Sequence, residues 1–270
     1  MRTLLLGSAR VYEVRALAFG EIVKGAWKLY SNPLGTYMAT VLIMLPRLLL
    51  QPLIFYLVTG RFGPLGSAAS PAQVLEDLWI IGLWFLPSML LSLLQTGALI
   101  TAAAGIYQGK PISFHVAIAA AWRRLPSLLG VEFLVALFIM LGMVALIIPG
   151  FFLALRYQFT SQVVLIEGLG ADAALSRSRA LTRGRYIQLL GLSLVLTLPL
   201  FVFHCAVAAA LPVSLAGIPM LGAVLRQLPL ALLMPLYHAA LTLAYFDASA
   251  CVAANSDRVE SAADGRCRLR

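Results

Sequence analysis

The amino-acid sequence predicts an all-α protein, a polytopic transmembrane helical bundle of about six spans with three interfacial amphipathic helices. Three observations predict this class. Hydrophobic residues make up 61% of the 270 residues and charged residues only 11%, with a mean hydropathy of +0.92, whereas soluble domains average about 25% charged residues. Six long apolar runs follow one another, and the basic residues between them concentrate on alternate loops.

The apolar runs set the predicted spans, because a spanning helix needs about 20 apolar residues to cross a hydrocarbon core of roughly 30 Å. The spans lie at about residues 34–58, 77–106, 127–148, 150–166, 186–211 and 227–252. Polar residues interrupt the fourth run at Arg156, Gln158 and Gln162. Only "IIPG" separates the third and fourth runs, which predicts a tight hairpin at Pro149-Gly150.

The basic residues predict the orientation. Sixteen of the 20 Lys and Arg residues fall on the side of a six-span chain that holds both termini, and only Arg61 and Arg226 fall on the other. Because basic loops stay in the cytoplasm, we expect a multi-pass bacterial inner (cytoplasmic) membrane protein with both termini cytoplasmic. Residues 1–254 then form a single membrane domain, and residues 255–270 form a polar cytoplasmic tail.

Three stretches that each precede a span resemble one another and predict a threefold internal repeat. They begin "GEIVKGAWKLYSNP" at Gly20, "SFHVAIAAAWRRLP" at Ser113 and "ADAALSRSRALTRG" at Ala171. At offsets of 95 and 57 residues, the positions that align are Trp27, Trp122 and Arg179, and a small residue precedes each of them. Four positions before that small residue, Ile22, Ala117 and Ala174 also align.

Each stretch is predicted to form an amphipathic helix on the inner membrane surface, at residues 20–32, 112–124 and 171–184. In the third stretch Ala174, Ser178 and Leu181 share one face at helical spacing, while Arg179 and Arg183 point elsewhere. The basic residues of such helices lie near anionic lipid.

Two groups of arginines are candidate lipid or anion contacts. Arg177, Arg179 and Arg183 belong to the basic stretch before the fifth span. Arg47 and Arg156 lie inside spans, where charge is costly and by default marks function. The last two would form a basic pocket in the outer half that holds a lipid phosphate; the alternative is that Arg156 snorkels to the outer headgroups.

Small residues at four-residue spacing predict close helix packing in two of the returning spans. Span two carries Gly97, Thr101 and Gly105, and span six carries Ala240, Ala244 and Ala248. Small side chains at this spacing let helix backbones approach one another in lipid.

A family resemblance follows from the most specific part of the chain, Pro149 to Gly184. This part contains a Pro-Gly turn, an Arg-aromatic pair (Arg156, Tyr157), a V-x-E-G-like segment ending at Gly168, and the pattern A-L-x-x-S-x-x-L-T-x-G from Ala174. From about Phe19 to Asp247 the chain resembles the glycerophosphoryl diester phosphodiesterase membrane-domain family and related bacterial six-span membrane proteins of unknown function.

The resemblance implies a membrane module and not an esterase, because the sequence has no acidic and histidine cluster with metal-ligand spacing. Two departures stand out. Arg179 occupies a place where the family tends to have an aromatic residue. Asp247 is followed by Ala248-Ser249, where the family tends to have Leu-Arg.

The motifs of common enzyme classes are missing from the sequence, which has no G-x-x-x-x-G-K-[ST], H-E-x-x-H or G-x-S-x-G. We therefore expect no catalytic, cofactor or metal site, and no nucleic-acid partner. The leading hypothesis is a non-enzymatic lipid-interacting or membrane-integrity and scaffold module. The alternatives are a transporter or permease subunit with a cavity between proline-kinked helices, and a membrane-embedded lipid enzyme. Expected partners are membrane lipids, with anionic headgroups at the cytoplasmic face, and a membrane protein or a second copy.

Overall fold

The computed structural model describes residues 44–59, 70–110, 112–210 and 234–253, together with Gly20, Ile22, Lys24, Gly25, Trp27 and Leu225. Within these ranges the chain is helical nearly throughout and contains no strand. The predicted all-α helical bundle is therefore confirmed. The predicted tail 255–270 lies outside the described residues, as do parts of the first and sixth predicted spans, so the count of six spans stays a prediction.

The helices of this part of the chain are α1 (Met44–Thr59), α2 (Pro71–Tyr107), α3 (Phe114–Ala145), α4 (Ile147–Arg156), α5 (Ala171–Thr182), α6 (Tyr186–Ala210) and α7 (234–253). Between α4 and α5 runs a broken segment, residues 157–167, in which a helical turn Thr160–Gln162 passes into a π-helical turn Val163–Glu167. Among the described helices, three are long and apolar enough to cross a membrane, at Ala72–Tyr107, Phe114–Ala145 and Tyr186–Val207.

Helix α3 joins two elements that the sequence analysis separated. The predicted surface helix 112–124 and the predicted span 127–148 form one helix of 32 residues that continues through Pro126. A proline removes one backbone donor and tends to kink a helix. Here the helix continues through the proline with that single bond lost.

The turn after α3 lies earlier than predicted. Leu146 is extended, with φ −167° and ψ 146°, and it separates α3 from α4. Pro149 and Gly150 fall inside the first turn of α4, where a missing N–H costs no intrahelical bond. The two helices approach closely at Gly142, where an added Cβ would lie 2.8 Å from the Gly150 Cα.

The broken segment runs antiparallel to α3 although α4 itself has only 10 residues. Gly142 lies against Gly150, the Glu132 carboxylate accepts a hydrogen bond from Ser161, and the Arg124 guanidinium donates to the Gly168 carbonyl. From residue 142 to residue 124 this pairing covers about 27 Å at 1.5 Å per residue. The returning chain therefore follows α3 for about the thickness of a hydrocarbon core.

The three surface stretches pack in a cyclic order. In the second, Ala117 packs with Ala98 and Ala102 of α2. In the third, the Ser178 side chain bonds to the end of α4. In the first, an added Cβ at Gly25 would lie 3.2 Å from the Leu243 side chain of α7. We call each surface stretch with the two predicted spans that follow it a unit, and the second of those spans its returning helix. Each stretch thus packs against the returning helix of the unit before it, and the first stretch packs against the returning helix of the last unit.

Burial follows the repeat alignment. The positions that align at Ile22 are buried in all three stretches, with exposures of 1%, 0% and 0%. The positions that align at Trp27 are all exposed: Trp27 by 59%, Trp122 by 62%, and Arg179 likewise. The inward residues are Ile22, Ala117 and Ala174, and the outward residues are Trp27, Trp122 and Arg179. This shared pattern supports the predicted repeat.

Candidate functional site

The break in the returning chain leaves backbone groups that need partners from outside their own helix. Helix α4 ends at Arg156, and residues 157–159 form a turn before the helix resumes. The turn is deeply buried, with Phe159 exposed by 0% and Thr160 by 2%. Irregular backbone inside a membrane is tolerated where protein or a water-filled cavity supplies hydrogen bonds. Here the neighbouring helix α5 supplies them.

Two hydroxyl side chains of α5 bond to the break. The Ser178 hydroxyl donates to the Arg156 carbonyl oxygen at 3.1 Å and accepts from the Phe159 backbone N–H at 3.3 Å. The Thr182 hydroxyl lies 3.2 Å from the same carbonyl oxygen and 3.0 Å from the Ser178 carbonyl oxygen, so it shares its proton between them. Both side chains are fully buried. Their spacing of one helical turn places them together on the inward face of α5.

At the other end of the broken segment, Glu167 joins three elements. Its carboxylate accepts from the Arg177 Nε of α5, at 3.0 Å and 3.1 Å to its two oxygens. The same carboxylate accepts from the Tyr245 hydroxyl of α7 at 2.7 Å. Charge-assisted bonds of this kind are stronger than neutral ones. Glu167 therefore ties α5 and α7 to the end of the returning chain.

A second ion pair joins the start of α6 to α7. The Arg185 guanidinium, at the start of α6, donates to the Asp247 carboxylate of α7, whose side chain is only 5% exposed. Together Glu167, Arg177, Arg185, Tyr245 and Asp247 form what we name the polar junction. Its members come from four separate elements, so it fixes the ends of α5, α6 and α7 relative to one another.

Gly168 is required next to the polar junction. Its φ of +72° lies in the left-handed region, which side chains other than glycine rarely adopt. An added Cβ there would also lie 2.7 Å from the Arg124 Nη2, the guanidinium that bonds to the Gly168 carbonyl oxygen at 3.0 Å. The V-x-E-G-like segment therefore combines a charged acceptor, Glu167, with the glycine that ends the π-helical turn.

The structure separates the predicted lipid contacts into different environments. Arg179 on α5 and Arg183 directly after it are exposed, and Arg179 donates to the Ser176 hydroxyl at 3.1 Å. Arg177 instead pairs with Glu167 and has a side chain that is 33% exposed. A headgroup role for Arg177 alone would require it to leave that pair.

The predicted outer pocket stays a prediction. The Arg47 side chain lies outside the described residues, so its distance from Arg156 is open to experiment. Arg156 is half-buried at the end of α4, and its Nε is buried with no hydrogen-bond partner within the described ranges. Its contribution to the described fold is its carbonyl oxygen, which receives Ser178 and Thr182.

The predicted packing residues of span two differ in what they contact. An added Cβ at Gly97 would lie 2.7 Å from the Ala121 Cβ of α3, so glycine permits this helix contact. Thr101 donates back to the Gly97 carbonyl oxygen at 2.7 Å. Gly105 instead meets its own following turn, where an added Cβ would lie 2.8 Å from the Lys110 carbonyl oxygen.

The predicted packing residues of span six all lie in the core. Ala240, Ala244 and Ala248 are exposed by 0%, 5% and 1%. Ala244 and Ala248 border the same small space as Leu189 of α6 and Ile22 of the first surface stretch. The small side chains of α7 therefore face α6 and that surface stretch.

Sequence reasoning assigned no role to Glu167 or Thr182, and it treated Ser178 only as one residue of an apolar face. A signal was present in the pattern. Two hydroxyl residues one helical turn apart follow an apolar run that polar residues interrupt, and a broken membrane helix needs such donors and acceptors. Among the described residues, no group of three or more His, Cys, Asp or Glu side chains is placed to hold a metal ion.

The chain is similar to curated bacterial membrane proteins. It is 30% identical over 115 residues to a UPF0259 membrane protein of Yersinia pestis (strain Pestoides F) and, equally, to one of Yersinia pseudotuberculosis serotype O:3 (strain YPIII). Each match covers 43% of this chain and 45% of the relative, so the chain spans less than half the length of these relatives. No solved structure matches.

A family model described as "Domain of unknown function (DUF7847)" matches residues 86–252, which contain the broken segment, α5 and the polar junction. The matches support the coarser part of the resemblance seen in the sequence, an uncharacterised bacterial membrane-protein family, and do not support its phosphodiesterase membrane-domain part. The chain therefore belongs to the family of the domain of unknown function DUF7847 and is a bacterial membrane protein.

Proposed function

We propose that this protein is a non-enzymatic, lipid-interacting module of the bacterial inner membrane, with six spans and both termini in the cytoplasm. Its cytoplasmic face would carry three amphipathic surface helices that engage anionic headgroups and help to maintain membrane integrity. The resemblance of Pro149 to Gly184 to the phosphodiesterase membrane-domain family stays a hypothesis beside this proposal.

The observation that carries the proposal is the exposed face shared by the surface helices. Trp27 and Trp122 are more than half exposed at equivalent positions, and Arg179 is exposed at the third. Arg123 and Arg183 add exposed positive charge beside them. Tryptophan prefers the membrane interface, and basic residues on an amphipathic helix favour anionic lipid. Helices that lie in the headgroup layer typically have one face packed inward and another face that carries tryptophan and basic residues of this kind.

The orientation rests on two further observations. Basic residues concentrate on the side of the termini. The broken return along α3 covers about one hydrocarbon thickness, which supports a fourth crossing even though α4 is short. Without a crossing between α3 and α6, the arginines of the α5 stretch would lie on the poorly charged side.

The non-enzymatic part of the proposal rests on how the polar groups are used. The charged members of the polar junction pair with one another, Arg177 with Glu167 and Arg185 with Asp247. Tyr245 donates to the same Glu167 carboxylate. Groups engaged in this way hold helices together and leave no nucleophile and base combination within the described site.

The transporter alternative gains less support from the packing. The space enclosed by Ile22, Phe159, Leu192 and Ala248 has a volume of about 10 Å³, which is about the volume that one water molecule needs. This close packing, where the first surface stretch meets α6 and α7, leaves no substrate path at that place.

The test is lipid affinity measured by native mass spectrometry of the purified full chain titrated with phosphatidylglycerol or phosphatidylcholine. Arg179→Gln with Arg183→Gln should weaken phosphatidylglycerol binding roughly 30-fold, because each arginine contributes about 1 kcal/mol near an anionic surface. Phosphatidylcholine binding should stay the same. Arg177 is left intact because it pairs with Glu167.

The matched control is Arg61→Gln with Arg226→Gln, which removes two arginines from the side predicted to be outside. These two residues lie outside the described part of the chain. Equal phosphatidylglycerol affinity for the wild type and the R179Q/R183Q variant would contradict the proposal and direct the search to protein partners at the cytoplasmic face.

A further inference from the structure

Helix α5 has two faces with different tasks. Its inward face presents Ser178 and Thr182, both fully buried, to the break in the fourth crossing. Its outward face presents Arg179, and Arg183 follows directly after its last residue; both are exposed. The four residues lie within six consecutive positions, so α5 cannot leave the break without moving both arginines.

The break depends on α5 more than the equivalent place on α2 depends on the second surface stretch. Ser178 aligns with Ala121 of the second unit, which is also fully buried. Ala121 packs by its methyl group against Gly97 of α2, and α2 is an unbroken helix there. A hydroxyl therefore stands where the neighbouring returning helix is broken, and a methyl group stands where the neighbouring returning helix satisfies its own backbone.

Removing α5 from the break would expose unpaired backbone. The Arg156 carbonyl oxygen and the Phe159 N–H would lose the Ser178 hydroxyl that bonds to both. Such groups cannot stay unpaired in hydrocarbon, so water would have to follow, and the helix turn at residues 157–159 would loosen. The docked and released positions of α5 are therefore two distinct states of the fourth crossing.

We propose that α5 is a latch: anionic lipid bound at Arg179 and Arg183 holds Ser178 against the break, and loss of that lipid releases the break. This inference rests on the headgroup role proposed above and adds its regulation. In the docked state Arg183 lies two residues before Arg185, which Asp247 fixes at the start of α6, so docking sets where the two exposed arginines stand relative to α6. Once α5 is released, Arg179 and Arg183 no longer hold that position. Anionic lipid therefore binds the docked state better and shifts the equilibrium toward it.

The experiment is hydrogen exchange of the full chain in lipid nanodiscs, read on peptides that cover residues 157–163. Exchange in a helix break reports the fraction of time that the break is open. In the wild type, these amides should exchange roughly tenfold more slowly with phosphatidylglycerol present than in phosphatidylcholine alone. Arg179→Gln with Arg183→Gln should abolish that difference. Ser178→Ala should speed exchange in both lipids.

The matched control is Lys110→Gln with Arg123→Gln, which removes two exposed positive charges from the second unit. The second surface stretch packs against the unbroken helix α2, so the lipid dependence of exchange at residues 157–163 should persist. Loss of the dependence in this control as well, or its persistence in R179Q/R183Q, would overturn the latch.

Lipid affinity of the same samples separates the two proposals. R179Q/R183Q protein that has lost phosphatidylglycerol affinity but keeps wild-type exchange at residues 157–163 overturns the latch and leaves the headgroup role in place. R179Q/R183Q protein that keeps wild-type affinity overturns the headgroup role and the latch with it.

Discussion

Single residues in this protein take their role from the helix they face. Ser178 and Ala121 align in the repeat and are both fully buried, yet one bonds to a broken backbone and the other packs against Gly97. A small side chain is needed at both places because the surface helix lies close to its neighbour. The hydroxyl is needed only where the neighbour leaves backbone groups unpaired.

Replacing Ser178 by Ala should destabilise the protein by about 1–3 kcal/mol, the usual cost of leaving buried polar groups unpaired. Thermal unfolding in detergent would measure the change as a lower midpoint temperature. Ser176→Ala is the matched control, since Ser176 is exposed two residues away on the same helix and accepts only from Arg179. Equal midpoints for the two variants would contradict the role given to Ser178.

For single residues, the sequence predicted which side chains are buried or exposed better than it predicted which side chains pair. The shared face of Ala174, Ser178 and Leu181 is buried, and Arg179 and Arg183 are exposed, as their spacing indicates. The pairing of Arg177 with Glu167 was not predicted. The two residues lie ten positions apart, and they meet only because a π-helical turn and a left-handed Gly168 redirect the chain between them. Helical periodicity contains no signal for either.

At the scale of elements, the hairpin of α3 and the returning chain organises the molecule. Contacts at Gly142, Glu132 and Arg124 align the two for about 27 Å. The sequence indicated a weak fourth span through its polar residues, but it placed the turn at Pro149-Gly150. A proline after an apolar run is compatible with either a turn or the first turn of a helix, so only the three-dimensional packing decides between them.

Two glycines of α3 give a matched test of this hairpin. Gly142→Ala should destabilise the protein by about 1–3 kcal/mol, because the new Cβ would lie 2.8 Å from the Gly150 Cα and force the helices apart. Gly130→Ala should be neutral or stabilise by up to about 1 kcal/mol, because its Cβ would meet only the Ala171 Cβ at 3.8 Å while helix propensity improves. Chemical unfolding of both variants in mixed micelles measures the difference, and a destabilising Gly130→Ala would count against this packing.

At the scale of the whole molecule, the three surface stretches close a ring of contacts, because the second packs on α2, the third on the end of α4 and the first on α7. Sequence similarity predicted three units with the same orientation, but it could not say which surfaces meet. That depends on contacts such as Gly25 with Leu243, which are more than 200 residues apart and have no local signature.

Cross-linking tests the closure of the ring. In a background where Cys205, Cys251 and Cys267 are replaced by Ser, cysteines at Gly25 and Leu243 should join efficiently with a short bismaleimide, since an added Cβ at Gly25 lies 3.2 Å from the Leu243 side chain. Cysteines at Gly20 and Leu243 should join less efficiently, because an added Cβ at Gly20 has no neighbour within 4 Å and so does not contact Leu243. Intramolecular product is seen as faster migration on denaturing gels, and equal yields for the two pairs would contradict the closure.

The closure of the first unit on the last has a consequence for synthesis. Ile22 and Gly25 leave the ribosome early, but Leu243 and Ala248, which lie beside them in the finished protein, are made about 220 residues later. At about 5–20 residues per second this is a delay of roughly ten to forty seconds. During that time the apolar side of the first stretch cannot yet pack against α7, and we expect it to lie at the lipid surface instead. The nascent chain would bind transiently to the same headgroup layer that the mature protein is proposed to engage.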